Sequence, residues 1–122
     1  MKEKRDIKIG IKSDKEFFTE LKELAGRIDD GWLPEMPVER LYFDDLPSLL
    51  KHLTPKRFEL LDNLHHNGAS SVRALAKLLN RHYKNVFDDV KLLEQIGLVE
   101  KDEAGLYSVP WDEVSASFKL AA

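Results

Sequence analysis

Residues 71–99 read SVRALAKLLNRHYKNVFDDVKLLEQIGLV. Val72, Leu75, Ala76 and Leu79 recur at i, i+3, i+4 and i+7, which is one face of a helix. Val86, Val90, Leu93 and Ile96 form a second such face. Between the two, Asn80, Arg81 and His82 are too few to make a loop of their own. Two helices joined by so short a turn cross steeply, and that is the helix-turn-helix unit. Ala76 is small where a close crossing leaves little room. Asn80 falls where the first helix must stop, and Asn tolerates the left-handed conformation of a helix end.

Outward from this core, Gly97 stops the second helix. Residues 98–101 and 106–109 then read as two short strands joined by residues 102–105. A hairpin directly behind the second helix forms a wing. On the other side, Thr54-Pro55 is a cap followed by a first-turn proline, and opens a helix with Phe58, Leu60, Leu61 and Leu64 on its apolar side. Residues 44–53 form a short helix with Pro47 in its first turn, and residues 40–43 a short strand.

Both ends of the chain alternate. In residues 6–12, Ile7, Ile9 and Ile11 point one way and Lys8, Gly10 and Lys12 the other, as in a half-buried strand. Residues 114–120, VSASFKL, alternate again. These terminal strands need partners, within one chain or across a dimer. Ser13 or Asp14 caps a helix whose stripe is Phe17, Phe18, Leu21, Leu24, Ala25 and Ile28. Its simplest role is core; its functional role is a dimer interface. Residues 29–39, with Gly31, Pro34 and Pro37, read as a linker, in which Trp32 is expected to pack on something. The expected class is mainly α with small β (α+β). Its domains are a strand-helix extension over 1–39, a winged helix-turn-helix over 40–110 and a last strand over 111–122.

The 122 residues allow one domain, or one with an extension. No apolar run approaches the roughly 18–20 residues of a membrane span. The charged start MKEKRDIKIG is unlike a signal peptide, so a cytoplasmic location is expected. With no cysteine, disulfides, thiolate metal sites and a cysteine nucleophile are excluded. The net charge of −3 is unevenly spread: residues 55–92 carry seven Lys/Arg against four Asp/Glu. A basic segment on an acidic body is compatible with a polyanionic partner.

Catalytic motifs are absent. No Gly-rich phosphate loop and no Ser-His-Asp arrangement occurs. His65 and His66 diverge by about 100° on a helix and cannot share a metal. His52 and His82 lack acidic or His partners at i+3 or i+4. Asp44-Asp45 and Asp88-Asp89 read as helix-start and surface acids. A non-enzymatic protein without cofactor or metal is expected.

The order of helix, Ser-rich turn, LAKLL helix, NVxxDVKLLEQIGLVE helix and hairpin resembles the winged helix-turn-helix regulators of the MarR/ArsR type. A closer resemblance is to short prokaryotic DNA-binding proteins described as MarR-like regulators or antitoxins. The added signposts are the IGIKS strand at 9–13, LYF at 41–43, the LTPKR start at 53–61 and the Pro-aromatic-Asp-Glu turn and strand at 110–120. The resemblance implies a homodimeric, sequence-specific DNA-binding repressor. The alternative it implies is an antitoxin that neutralises a partner toxin and autoregulates its operon. Such regulators often carry Gly where Asn80 stands and Arg or Ser where Asp88 stands. The wing here holds three acids and one Lys, unlike a phosphate-contacting wing.

Recognition helices read bases with their N-terminal residues. Arg81, Tyr83, Lys84, Asn85, Asp88 and Lys91 lie opposite the apolar face of the second helix. Asn85 suits adenine, and Arg81 or Lys84 suits guanine or a phosphate. Tyr83 suits a phosphate or a thymine methyl. Lys56, Arg57, Arg73 and Lys77 would clamp the flanking backbone, with Ser70 and Ser71 donating at a helix N-terminus. The stripe of Phe17, Phe18, Leu21, Leu24 and Ile28 would join two copies, since a two-fold protein reads a palindromic site.

Overall fold

A computed structural model describes residues 4–31, 39–118 and 120. It is an α+β chain whose described residues hold five helices, a three-stranded sheet and a two-stranded hairpin. The chain forms two compact units. One comprises Lys51–Asp112 with Met1–Arg5, the other Asp6–Leu50 with Glu113–Ala122. The division after residue 50 falls later than the boundary after residue 39 expected from sequence. Strand 39–43 belongs with the N-terminal strand because it pairs with it in parallel, and such pairing is invisible to local pattern. Trp32, Pro34 and Pro37 of the expected linker lie outside the described residues.

In the second unit, β1 (Asp6–Ile11) is the centre of a parallel sheet. It pairs with β2 (Glu39–Phe43) on one side and β5 (Glu113–Ala116) on the other. The two terminal strands thus find partners within one chain. Ile7 and Ile9 are buried on one sheet face. Lys8 and Gly10 point to the other, beside Arg40 and Tyr42 in register. A Cβ on Gly10 would stand 3.4 Å from the Tyr42 ring, so glycine lets that ring lie over the strand.

Helix α1 (Asp14–Asp29) connects β1 to β2. The Ser13 side chain caps it by accepting from the Glu16 amide at 3.3 Å. The core role expected for its apolar stripe does not hold. No residue of α1 is buried, and Phe17, Phe18, Leu21, Leu24 and Ile28 are between 39% and 62% exposed. Phe17 meets the Tyr42 ring edge-on at 6.2 Å, and a groove of about 570 Å³ runs beside Leu21 and Leu24. Lys12 ties β1 to α1 through Glu20 and donates to the Tyr42 hydroxyl at 3.0 Å. The Glu20 bond raises the Lys12 pKa above that of an ordinary lysine, against the effect of burial. Burial pushes the Tyr42 phenol up, but hydrogen bonds from Lys12 and Arg40 outweigh it and hold the phenol below its ordinary value.

The other unit is built on α3 (Pro55–Asn67), α4 (Val72–Leu79) and α5 (Tyr83–Gln95). The short α2 (Leu46–His52) precedes them, with the Asp45 carboxylate accepting from the Ser48 amide at 2.8 Å. Leu60, Leu64, Leu75, Val86, Val90, Leu93 and Leu98 are at most 2% exposed and form the core. Burying each such side chain contributes roughly 1.5–3 kcal/mol. Phe58, expected on the apolar side of α3, is 43% exposed; the buried face runs through Leu60, Leu61 and Leu64 instead. Gly97 at φ 91 ends α5, a backbone conformation that glycine adopts without strain. Then β3 (Glu100–Lys101) and β4 (Tyr107–Ser108) pair antiparallel. Ser70 bridges Tyr107 through two backbone bonds of 2.9 and 2.8 Å, tying the segment before α4 to the hairpin. Trp111 is buried, donates to the Gly97 carbonyl at 3.2 Å and carries the Arg5 guanidinium over its ring at 4.4 Å.

Candidate nucleic-acid interface

The turn between α4 and α5 is the three residues Asn80, Arg81 and His82. Asn80 adopts the left-handed conformation, φ 52 and ψ 48, and its amide donates to carbonyls at the end of α4. The Arg81 amide donates to the Ala76 carbonyl at 3.0 Å. These bonds close the turn so tightly that α5 starts at once. The Ser71 side chain caps α4 by accepting from the Ala74 amide at 3.1 Å. Ser71 is therefore occupied as a cap, and the Ser70 hydroxyl donates to the Ser71 carbonyl at 3.1 Å. The Ser70 hydroxyl, expected to donate to a partner, is thus spent on the backbone, whereas Ser71 accepts as a cap and keeps its own O–H to donate.

A concavity of about 490 Å³ opens at the turn. Among the described residues, Arg73, Lys77, Arg81 and Tyr83 line it, with Asn80 and His82, and no carboxylate does. His82 is the N-cap of α5 but makes no side-chain bond to that helix. The first amides of a helix have no intrahelical partner, and the helix dipole places positive potential there. Cations and an open helix start thus share one concave surface.

Beyond it, Tyr83, Lys84, Asn85, Phe87 and Asp88 are all exposed on α5. Val86, Val90 and Leu93 are buried behind them. Tyr83 and Phe87 stack at 6.1 Å with 24° between ring planes. Lys91 donates to Glu94 at 3.2 Å, and that bond holds its pKa above the ordinary lysine value. Lys91 is fixed along the helix by its own neighbour. Lys56 stands exposed in the first turn of α3, and the concavity does not include it.

Two expected contact residues are held elsewhere. Arg57 Nε donates to Asp89 at 3.0 Å, and Arg57 Nη1 donates to the His52 carbonyl at 2.7 Å. Arg81 Nη2 donates to the other Asp89 oxygen at 2.8 Å. The three side chains are only 13–19% exposed. Asp89 thus joins the start of α3, the turn and α5 in one half-sealed knot. It was expected to be a surface acid, and it is a structural one. A flank position beside the buried stripe was visible in the sequence; the two guanidinium partners, 32 and 8 residues away, were not. Arg81 also leaves Nη1 buried without a hydrogen-bond partner.

The hairpin loop is organised by Asp102, whose side chain accepts from the Leu106 amide at 2.9 Å. One acid of the hairpin therefore serves its own loop. Among the described residues, no group of three or more His, Cys, Asp or Glu could hold a metal ion. No helix among them is long and apolar enough to cross a membrane.

The model of the HVO_A0114 family matches residues 52–116, just over half of the chain, and the chain belongs to that family. The match runs from the end of α2 to the last strand and includes every residue of the turn concavity. No curated protein and no solved structure matches the chain.

Proposed function

We propose that this chain is a winged helix-turn-helix regulator that binds specific DNA as a homodimer and represses by occupying its site. The observation that carries the reading is the carboxylate-free concavity at the α4–α5 turn, with Arg73 and Lys77 beside the open start of α5. A DNA phosphate seated there meets cations and helix amides together. The same placement presents Lys84 and Asn85, exposed in the first turn of α5, to base edges. Asn85 reads adenine and Lys84 reads guanine or a phosphate. Tyr83 packs beside them on Phe87. Arg57 and Arg81 act indirectly, by fixing the turn through Asp89. The wing, with Asp102 engaged in its own loop, contributes little attraction.

The test is selection of DNA from a random pool by the full chain, followed by shift assays on the selected site. Lys84→Ala and Asn85→Ala are each expected to cost roughly 1–3 kcal/mol in binding and to relax preference at one base position. Arg73→Ala and Lys77→Ala are expected to weaken all sequences alike. Unchanged binding by both α5 variants, or no sequence enriched at all, overturns the assignment.

A further inference from the structure

The apolar stripe of α1 has a spacing that its exposure makes meaningful. Phe17, Leu21, Leu24 and Ile28 are separated by four, three and four residues, the heptad spacing of a two-helix seam. Along one flank of this seam lie Glu20 and Arg27, and along the other Phe18 and Ala25. The four seam residues are each 39–44% exposed, and the groove beside them is lined by Glu20 and Arg27 as well. Lys12 fixes Glu20 on this side of the helix.

We propose that α1 pairs antiparallel with α1 of a second copy of this chain. The charges select the orientation. In an antiparallel seam Leu21 faces Leu24 of the second copy, and Phe17 faces Ile28. Glu20 then stands opposite Arg27 of the second copy, and two-fold symmetry repeats that pair. Phe18 covers Ala25, where a small residue leaves room for the ring. In a parallel seam Glu20 would instead meet Ala25, and no charge pair would form within the helix. The seam is short, so the pairing is expected to dissociate on dilution. It deepens the homodimer of the proposed function, resting on that reading only for what the dimer serves.

The absence of native cysteine gives a clean test in the full chain. Phe17→Cys and Ile28→Cys are made separately, with different tags, and oxidised mildly alone and mixed. The antiparallel seam predicts a disulfide-linked heterodimer in the mixture only. Positions 17 of the two copies would stand about 16 Å apart along the helix axis, too far to link. Links within each single variant, with no mixed-tag heterodimer in the mixture, would mean a parallel seam and overturn the proposal. So would no link in any sample. Independently, sedimentation should show the unmodified chain dimerising at high micromolar concentration and Leu21→Glu/Leu24→Glu remaining monomeric. Both leucines are exposed, so the variant keeps its fold, which circular dichroism checks. An unmodified chain that stays monomeric also overturns the pairing. A chain that links as expected but shifts no DNA keeps the pairing and loses the DNA reading. A chain that shifts DNA without linking does the reverse.

Discussion

Asp89 accepts from two guanidinium groups at once, Arg57 at 3.0 Å and Arg81 at 2.8 Å. With all three side chains less than one fifth exposed, removing the acid leaves two facing cations with little water to screen them. Asp89→Ala is expected to destabilise the chain by roughly 3 kcal/mol, read as a lower urea midpoint. A loss under about 0.5 kcal/mol, the range of ordinary surface substitutions, would show that the knot does not hold the turn. The same geometry separates stability from binding. Arg57 and Arg81 variants should lose stability first, whereas Lys84 and Asn85 lie exposed and should lose binding with the fold intact.

At the scale of the element, the α4–α5 turn depends on one residue at positive φ. Asn80 holds φ 52, and its amide and that of Arg81 close onto the last turn of α4. Glycine meets this conformation without steric cost, and a β-branched residue meets it badly. Asn80→Gly is expected to change stability by less than about 1 kcal/mol, and Asn80→Val to cost about 1–2 kcal/mol. Thermal unfolding of the pair checks this, and equal melting points would remove the turn from the account. The caps follow the same local chemistry. Ser13, Ser71 and Thr54 each accept from the amide three residues on, as the positions of Ser13 and Thr54 before apolar runs foretold. Helix α1 departs from expectation for a different reason. Periodicity reveals an apolar face but not what the face meets, and here the sheet leaves it exposed.

For the whole molecule, a net charge of −3 must be reconciled with the polyanionic partner proposed above. Three cations per copy, Arg73, Lys77 and Lys84, stand where the proposed interface needs them. A dimer doubles them. The logarithm of affinity against the logarithm of salt is therefore expected to fall with a slope near −5, from about six neutralised phosphates. Leu21→Glu/Leu24→Glu should roughly halve that slope while leaving the Lys84 dependence in place. A slope near zero would mean that these cations do not meet phosphate.

The sequence alone determined the helices, their caps, the three-residue turn and the hairpin behind it. Each depends on residues within a few positions of one another, where period, capping oxygens and glycine act directly. It also placed Lys84 and Asn85 on the exposed start of α5, because helical period fixes a face. Tertiary structure decided what joins distant residues. It set β2 and β5 on either side of β1, since strand pairing is a choice among partners. It drew Arg57 and Arg81 onto Asp89, since an ion pair is chosen by distance in space. It left the α1 stripe open, since burial depends on what arrives to cover it.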